Sequence, residues 1–402
     1  MTNLPQGWKM ETLGEILSSD KYSIKRGPFG SALKKSFFVE KGIRIFEQYN
    51  PINNDPHWKR YFISHEKFQE LEAFKATEGD LLISCSGTLG KIVELPKDTE
   101  MGIINQALLK IRLNNIKILN SYFIYYFNSP IMQEKILEST LGSAIKNIAS
   151  VKILKQIEIP LPPLKEQERI VGILDESFAK IDESIKILEQ DLLNLDELMQ
   201  SALQKAFNPL KDNAKENYKL PQSWEWKSLE EISENISAGG DKPKNCTESK
   251  TAKNQIPVYA NGVNNNGLVG YTDKATIIKP SLTISARGTI GFVCIRKEPY
   301  FPIVRLISLI PCENILCLHY LYFCLNFFIA KGEGSSIPQL TIPKFKSLQI
   351  PLPPLKEQEQ IAEHLDFVFE KAKALKELYT KELKDYEELK QSLLDKAFKG
   401  KL

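Results

Sequence analysis

The stretch Ile-Pro-Leu-Pro-Pro-Leu-Lys-Glu-Gln-Glu fills residues 159–168 and returns unchanged at residues 350–359. Ten identical residues in a row mark an internal duplication. Each copy follows a mixed, strand-rich segment of about 150 residues and precedes a long charged segment that reads as helix. The order is therefore globular unit, helix, globular unit, helix.

The echo runs well beyond the decapeptide. Leu4-Pro5-Gln6-Gly7-Trp8 returns as Leu220-Pro221-Gln222-Ser223-Trp224. Ile83-Ser84-Cys85-Ser86-Gly87-Thr88-Leu89-Gly90 returns as Ile284-Ser285-Ala286-Arg287-Gly288-Thr289-Ile290-Gly291. Ser201-Ala202-Leu203-Gln204-Lys205-Ala206-Phe207 returns as Ser392-Leu393-Leu394-Asp395-Lys396-Ala397-Phe398. The offset is 216 at the unit starts, 201 in mid-unit, and 191 at both the decapeptide and the helix ends. Register is kept through the helices and lost across the globular parts. Two modules on one plan with different faces should recognise two different things. A period near 200 is too long for a solenoid and marks a duplicated domain.

At 402 residues the chain has room for two or three domains with their own cores. A net charge of +3 is too small to argue for nucleic acid, so any basic surface must come from clustering. The opening residues MTNLPQGWKMETL lack an apolar leader, and no apolar run reaches the length of a membrane span, so a cytoplasmic protein is expected. The six cysteines include no CxxC pair and read as free thiols in a reducing compartment.

The Pro162-Pro163 pair stops the preceding segment, and Glu166 and Glu168 place acids in the first turn of a helix. Apolar residues then fall at Val171, Leu174, Phe178, Ile181, Ile185, Leu188, Leu192 and Leu195, alternating spacings of three and four. That is a coiled-coil seam. In the second copy Ile361, Leu365, Val368, Ala372, Leu375 and Tyr379 share a seam, with a break at Glu382 before Tyr386, Leu389 and Leu393. Two seams of like length point to pairing of the two helices within the chain. Each could instead meet a partner or another copy. An antiparallel pair would put the two units at opposite ends, related by a pseudo-two-fold.

Each unit is expected to open with a short helix (residues 10–17 and 227–235). Short strands should follow, near 42–46, 80–84, 91–95, 107–112, 256–259, 282–285 and 292–296, and an aromatic-rich helix should close it (121–138 and 316–330). The expected fold is α+β: two tandem α/β units, each followed by a long helix.

Catalytic signals are missing. The run Gly87-Thr88-Leu89-Gly90-Lys91 resembles the end of a P-loop, but Cys85 and Ile92 stand where the motif needs Gly and Ser or Thr. No amino-methyltransferase tetrapeptide occurs, and the four histidines lack zinc-ligand spacing. The units offer polar loops instead. In the first, Lys25, Arg26, Lys34 and Lys35 flank glycines, followed by Gln48, Asn50, Lys59 and Arg60. In the second, Lys242, Lys244 and Asn245 precede Tyr259, Asn261, Asn264, Asn265 and Asn266, with Arg287 further on. Cations reach phosphates and guanine edges, and amides pair with adenine. The same residues also suit solvated loops and turns.

With these motifs, from LPQGWKMETLGEI and LPQSWEWKSLEEI to the two KAF helix ends, the chain resembles specificity subunits of type I restriction-modification systems from residue 4 to residue 398. The resemblance implies two target recognition domains (1–158 and 211–349) and two conserved regions (159–210 and 350–402) whose helices pair as an antiparallel coiled coil. It implies that each recognition domain reads half of a split, asymmetric DNA site. It also implies modification subunits, usually two, that methylate adenine with S-adenosylmethionine, and a restriction subunit with ATP-driven translocation and Mg. Catalysis and cofactors would lie in those partners. A different reading stays open: a scaffold that holds two protein partners and binds no DNA. A self-contained enzyme has no motif in its favour.

Overall fold

The structure is a computed structural model and describes residues 4–138, 148–207, 221, 223–329 and 340–402. Leu220, Gln222, Ala330 and the expected 210/211 boundary lie outside the described residues. The chain forms two compact units, Met1–Leu188 with Lys381–Leu402, and Glu189–Thr380.

In the first unit the strand Lys9–Thr12 pairs antiparallel with Glu158–Leu161, so Met10 faces Pro160. An antiparallel sheet runs in the order Ile24–Arg26, Leu108–Ile111, Leu81–Ser84, Ile92–Glu94. A second sheet runs Phe38–Val39, Phe62–Ile63, Ile43–Phe46, Gly102–Ile104, Lys75–Ala76. Within it Ile43–Phe46 and Gly102–Ile104 are parallel. Leu81–Ser84 is buried at every residue, which suits a continuous apolar run inside a sheet. The helix Asn120–Asn128 buries Tyr122, Phe123, Tyr126 and Phe127 against that sheet. It stops at Ser129, and Pro130 starts the next helix, Pro130–Glu138.

The second unit repeats this plan with fewer strands. Glu225–Ser228 pairs with Gln349–Leu352. The antiparallel sheet runs Ser233–Ala238, Ile307–Pro311, Ser281–Ile284, Val293–Arg296. The other sheet holds Leu268–Thr272, Ile256–Tyr259 and Phe301–Pro302, the last two parallel. Strands equivalent to Phe38–Val39 and Lys75–Ala76 are absent among the described residues.

The expected opening helices are corrected. Residues 9–12 and 225–228 are strands, followed by single turns at Leu13–Glu15 and Leu229–Ile232. Their partner strands lie partly in the decapeptide, whose prolines conceal strand character and sit in a two-stranded edge pair, where proline is tolerated. Both turns carry capping boxes, Thr12 with Glu15 and Ser228 with Glu231.

The decapeptide is a joint. Ile159 and Ile350 are fully buried. Gln167 is also buried; its Oε1 accepts from Leu119 N (2.9 Å), and its Nε2 donates to Lys117 O and Pro162 O (both 2.9 Å). Gln358 repeats the pattern with Cys317 N, Ile315 O and Pro353 O. Tyr122 and Tyr320 donate to Pro160 O and Pro351 O, each at 2.8 Å. Every polar atom of the buried glutamine amides is used, which fixes each helix start to its unit.

The two long helices are Leu164–Phe207 and Leu355–Phe398. Leu174, Ile181, Leu188 and Leu195 are buried, and Val171, Phe178, Ile185 and Leu192 are half-buried. In the first unit Arg169 donates to Leu402 O and Lys390 pairs with Asp182, so the helix segments are antiparallel. In the second unit Lys376 pairs with Asp196. Leu375 is corrected: it is 38% exposed, and Leu389 is 45% exposed. The covered stripe is Leu365, Phe369, Ala372, Lys376, Tyr379, Leu383, Tyr386, Lys390, Leu393 and Ala397, with none of them exposed. Its spacing alternates four and three without a break. Choosing leucines over lysines moved the sequence reading off this stripe. The ends carry large apolar anchors: Phe398 packs on Tyr122 and Tyr126, and Phe207 packs on Tyr320 and Phe327.

Candidate nucleic-acid interface

In the first unit, backbone hydrogen bonds draw four loops together. Gly27 N donates to Leu108 O (2.9 Å), Asn105 N to Phe46 O (3.0 Å) and Cys85 N to Ala107 O (2.8 Å). A Cβ on Gly27 would meet Asn105 O at 1.8 Å, so this close approach requires glycine. The cluster thus joins the segments after Arg26, after Phe46, around Ser86 and at 105–107.

The sequence-predicted residues divide around it. Arg26 lies in the cluster with its guanidinium 5.3 Å from the Phe29 ring. Gln48 is half-buried, with Oε1 enclosed. Lys25 leans away, its ammonium 5.5 Å from the Tyr22 ring and 5.2 Å from the Phe74 ring. Lys34 and Lys35 are exposed beside the short helix Lys35–Phe37. Lys59 is paired with Glu100 at 3.0 Å, and Arg60 is exposed over the Tyr61 ring at 4.8 Å.

Asn50 is corrected to a structural brace. It is fully buried, accepts from Glu47 N (2.9 Å), and donates to Asp55 O (2.9 Å) and Trp58 O (2.8 Å). Buried Arg44 supports the same loop through Pro56 O (2.9 Å) and Trp58 O (2.7 Å). Burial draws the Arg44 guanidinium below its usual range, and burial pushes the neighbouring Glu47 carboxyl up against the pull of Arg60. The braced loop displays Tyr49, stacked on Trp58 at 4.3 Å and 42% exposed. Sequence reasoning passed over Tyr49; an aromatic pair inside a polar loop was the available signal.

The second unit builds the equivalent cluster. Gly239 N donates to Leu306 O (2.8 Å), Ile303 N to Tyr259 O (2.8 Å) and Gly262 N to Ser285 Oγ (3.3 Å). Asn261 is the knot: Nδ2 donates to Val304 O (2.7 Å) and Oδ1 accepts from Ala286 N (2.8 Å). Oδ1 and one Nδ2 proton are engaged, so Asn261 braces the cluster. Tyr259 is also engaged within the unit. Its ring is half-buried, with the Arg296 guanidinium 3.5 Å from the centroid and Tyr300 at 5.8 Å. Arg296 also holds Asn266 O, which fixes the left-handed Asn265-Asn266 turn. Asn264, Asn265, Asn266 and Arg287 have exposed side chains in this cluster.

Lys242 and Lys244 are exposed. Asn245 binds Asp273 Oδ1 (2.6 Å) and accepts from Thr272 Oγ1 (3.0 Å), beside the Ile256/Thr272 end of the hairpin. The Asn264–Gly267 turn caps the other end, so Asn245 lies away from the cluster. Among the described residues no group of His, Cys, Asp and Glu could hold a metal ion, and no helix is long and apolar enough to cross a membrane. What the arrangement provides is exposed donors and amides on loops fixed to rigid sheets, suited to contacting an extended polyanion with base edges.

The type I restriction modification DNA specificity domain matches residues 5–192 and again 221–384, and the chain belongs to that family. Among its relatives is a Mycoplasma pneumoniae chain named as type I specificity subunit S.MpnORF507P, 33% identical over 54% of this chain and 56% of that one. Another from that organism, S.MpnORF89P, is 31% identical over 56% of this chain and 66% of that one. The chain thus covers between half and two thirds of these two relatives. A Methanocaldococcus jannaschii chain named as the MjaX specificity subunit is 25% identical over 85% of this chain and 82% of that one. The fold matches a chain from a solved type I R-M system over 100% of both, with TM-score 0.81 and 21% identity. It also matches the HsdS subunit of Thermoanaerobacter tengcongensis, with TM-score 0.63 and 20% identity over 99% of this chain and 98% of that one.

Proposed function

We propose that this chain is the DNA-reading subunit of a type I restriction-modification complex, in which each unit reads one part of a bipartite, asymmetric duplex site. The observation that carries this is the loop cluster built twice on the same hydrogen-bond plan but displaying different side chains. The frame repeats (Gly27 and Gly239, Phe46 and Tyr259, Leu108 and Leu306). The exposed residues do not repeat, as two readers of different half-sites require. Lys34, Lys35, Lys242 and Lys244 supply phosphate affinity. Arg60, Asn264, Asn265 and Arg287 face base edges.

Adenine methylation with S-adenosylmethionine, and ATP- and Mg-dependent restriction, belong in this reading to partner subunits. Two modification subunits pack on the helical regions. The test is duplex DNA binding by the chain assembled with its modification subunits, measured across salt. DNA reading predicts a log-log slope that counts several phosphate contacts. A protein scaffold would bind no duplex at any salt.

A further inference from the structure

We propose that two equivalent turns, at residues 105–107 and 303–305, carry specificity-determining side chains: Gln106 meets an adenine edge, and Arg305 a guanine edge, in the major groove. This rests on the DNA-reading function proposed above. Neither residue stands out in the sequence.

The turns are equivalent by their bonding. Each leaves a strand parallel to its neighbour (Gly102–Ile104, Phe301–Pro302) and enters the central strand of the antiparallel sheet (Leu108–Ile111, Ile307–Pro311). Leu108 N donates to Asn105 O (3.1 Å), and Leu306 N donates to Ile303 O (3.0 Å). Both turns sit in the middle of their loop cluster.

In the second unit the turn is strained. Val304 and Arg305 have φ of 55° and 59°, the left-handed region, which a β-branched residue rarely enters. Elsewhere this chain places Gly or Asn at such positions, as at Gly288, Gly291, Asn265 and Asn266. A turn serving only to reverse the chain would do the same. Here the backbone is instead clamped. Val304 N donates to Gly240 O (2.8 Å), Arg305 N to Gly239 O (2.9 Å), and Val304 O accepts from Asn261. With the backbone amides used, only side chains remain to be presented.

Val304 is 51% exposed and Arg305 is exposed, its guanidinium making no hydrogen bond or ion pair with the described residues. Strain held by surrounding structure around an outward-facing side chain is characteristic of a functional position. A guanidinium fork matches guanine O6 and N7. At the equivalent place in the first unit Gln106 is exposed, and its amide matches adenine N6 and N7.

The test uses the full chain with its modification subunits, comparing wild type, Arg305→Ala, Arg305→Lys and Gln106→Ala. The readouts are the methylated motif and the affinity for specific and random duplexes. Arg305→Ala is expected to weaken specific binding roughly tenfold or more and relax the motif at one guanine, leaving random-duplex affinity nearly unchanged. Arg305→Lys should keep random-duplex affinity and still lose the discrimination, because an ammonium lacks the fork. Gln106→Ala should relax one adenine in the other half-site. All positions are exposed, so the variants should fold. Unchanged motifs with wild-type affinity would overturn the inference while leaving the DNA-reading function standing. Loss of affinity for all sequences alike would overturn it too. If wild type itself shows no salt-dependent duplex binding, the function proposed above fails.

Discussion

The Gln167 amide is enclosed, and each of its hydrogen bonds goes to a backbone group. Replacing it with leucine would strand Leu119 N, Lys117 O and Pro162 O at once. A loss of about 3 kcal/mol is expected for Gln167→Leu, and similarly for Gln358→Leu, read from urea unfolding midpoints. A change under about 0.5 kcal/mol in both would refute the joint. At this scale the sequence was only partly legible. Asn50 and Asn261 have the right chemistry for adenine, but the same amide chemistry ties loops to backbone. Which use wins depends on the partners the fold supplies: Asn50 is enclosed by the loop it braces, and Asn261 is held by Ala286 N and Val304 O, from segments well apart from it in sequence. Arg305 cannot be told from a structural ion-pair arginine in sequence, because its backbone conformation cannot be read from its neighbours.

The helices show why regular elements were more legible than sites. The central seam follows from heptad spacing, and Leu174, Ile181, Leu188 and Leu195 are buried one heptad apart. The second seam hides because lysines occupy two of its positions. Lys390 has only 16% of its side chain exposed, with its ammonium 5.8 Å from the Phe178 ring and paired to Asp182. A polar residue on a seam gives up stability and fixes register. Lys390→Ala should cost about 1–2 kcal/mol, mostly from its packed stem. Its coupling to Asp182 in a double-mutant cycle should be about 0.5 kcal/mol and shrink with salt. A neutral Lys390→Ala variant would show that the stripe is not a packed seam. The prolines of the decapeptide obscured strands for a related reason: proline signals a break unless its partner strand is known.

At the scale of the molecule, duplication was the most legible feature, because it needs only the chain compared with itself. The decapeptide, the unit starts and the KAF ends predicted two units and two long helices, and the structure has them. The size of each second sheet was not legible, since short strands such as Phe62–Ile63 exist only through their pairing. The doubled loop cluster is what the proposed reading function rests on. The most direct test is to express the chain with its modification subunit in a host free of other methylation and map modified adenines across the genome. The account predicts one motif made of two unlike halves separated by a constant unread gap. A contiguous motif, or two halves with a variable gap, would contradict it.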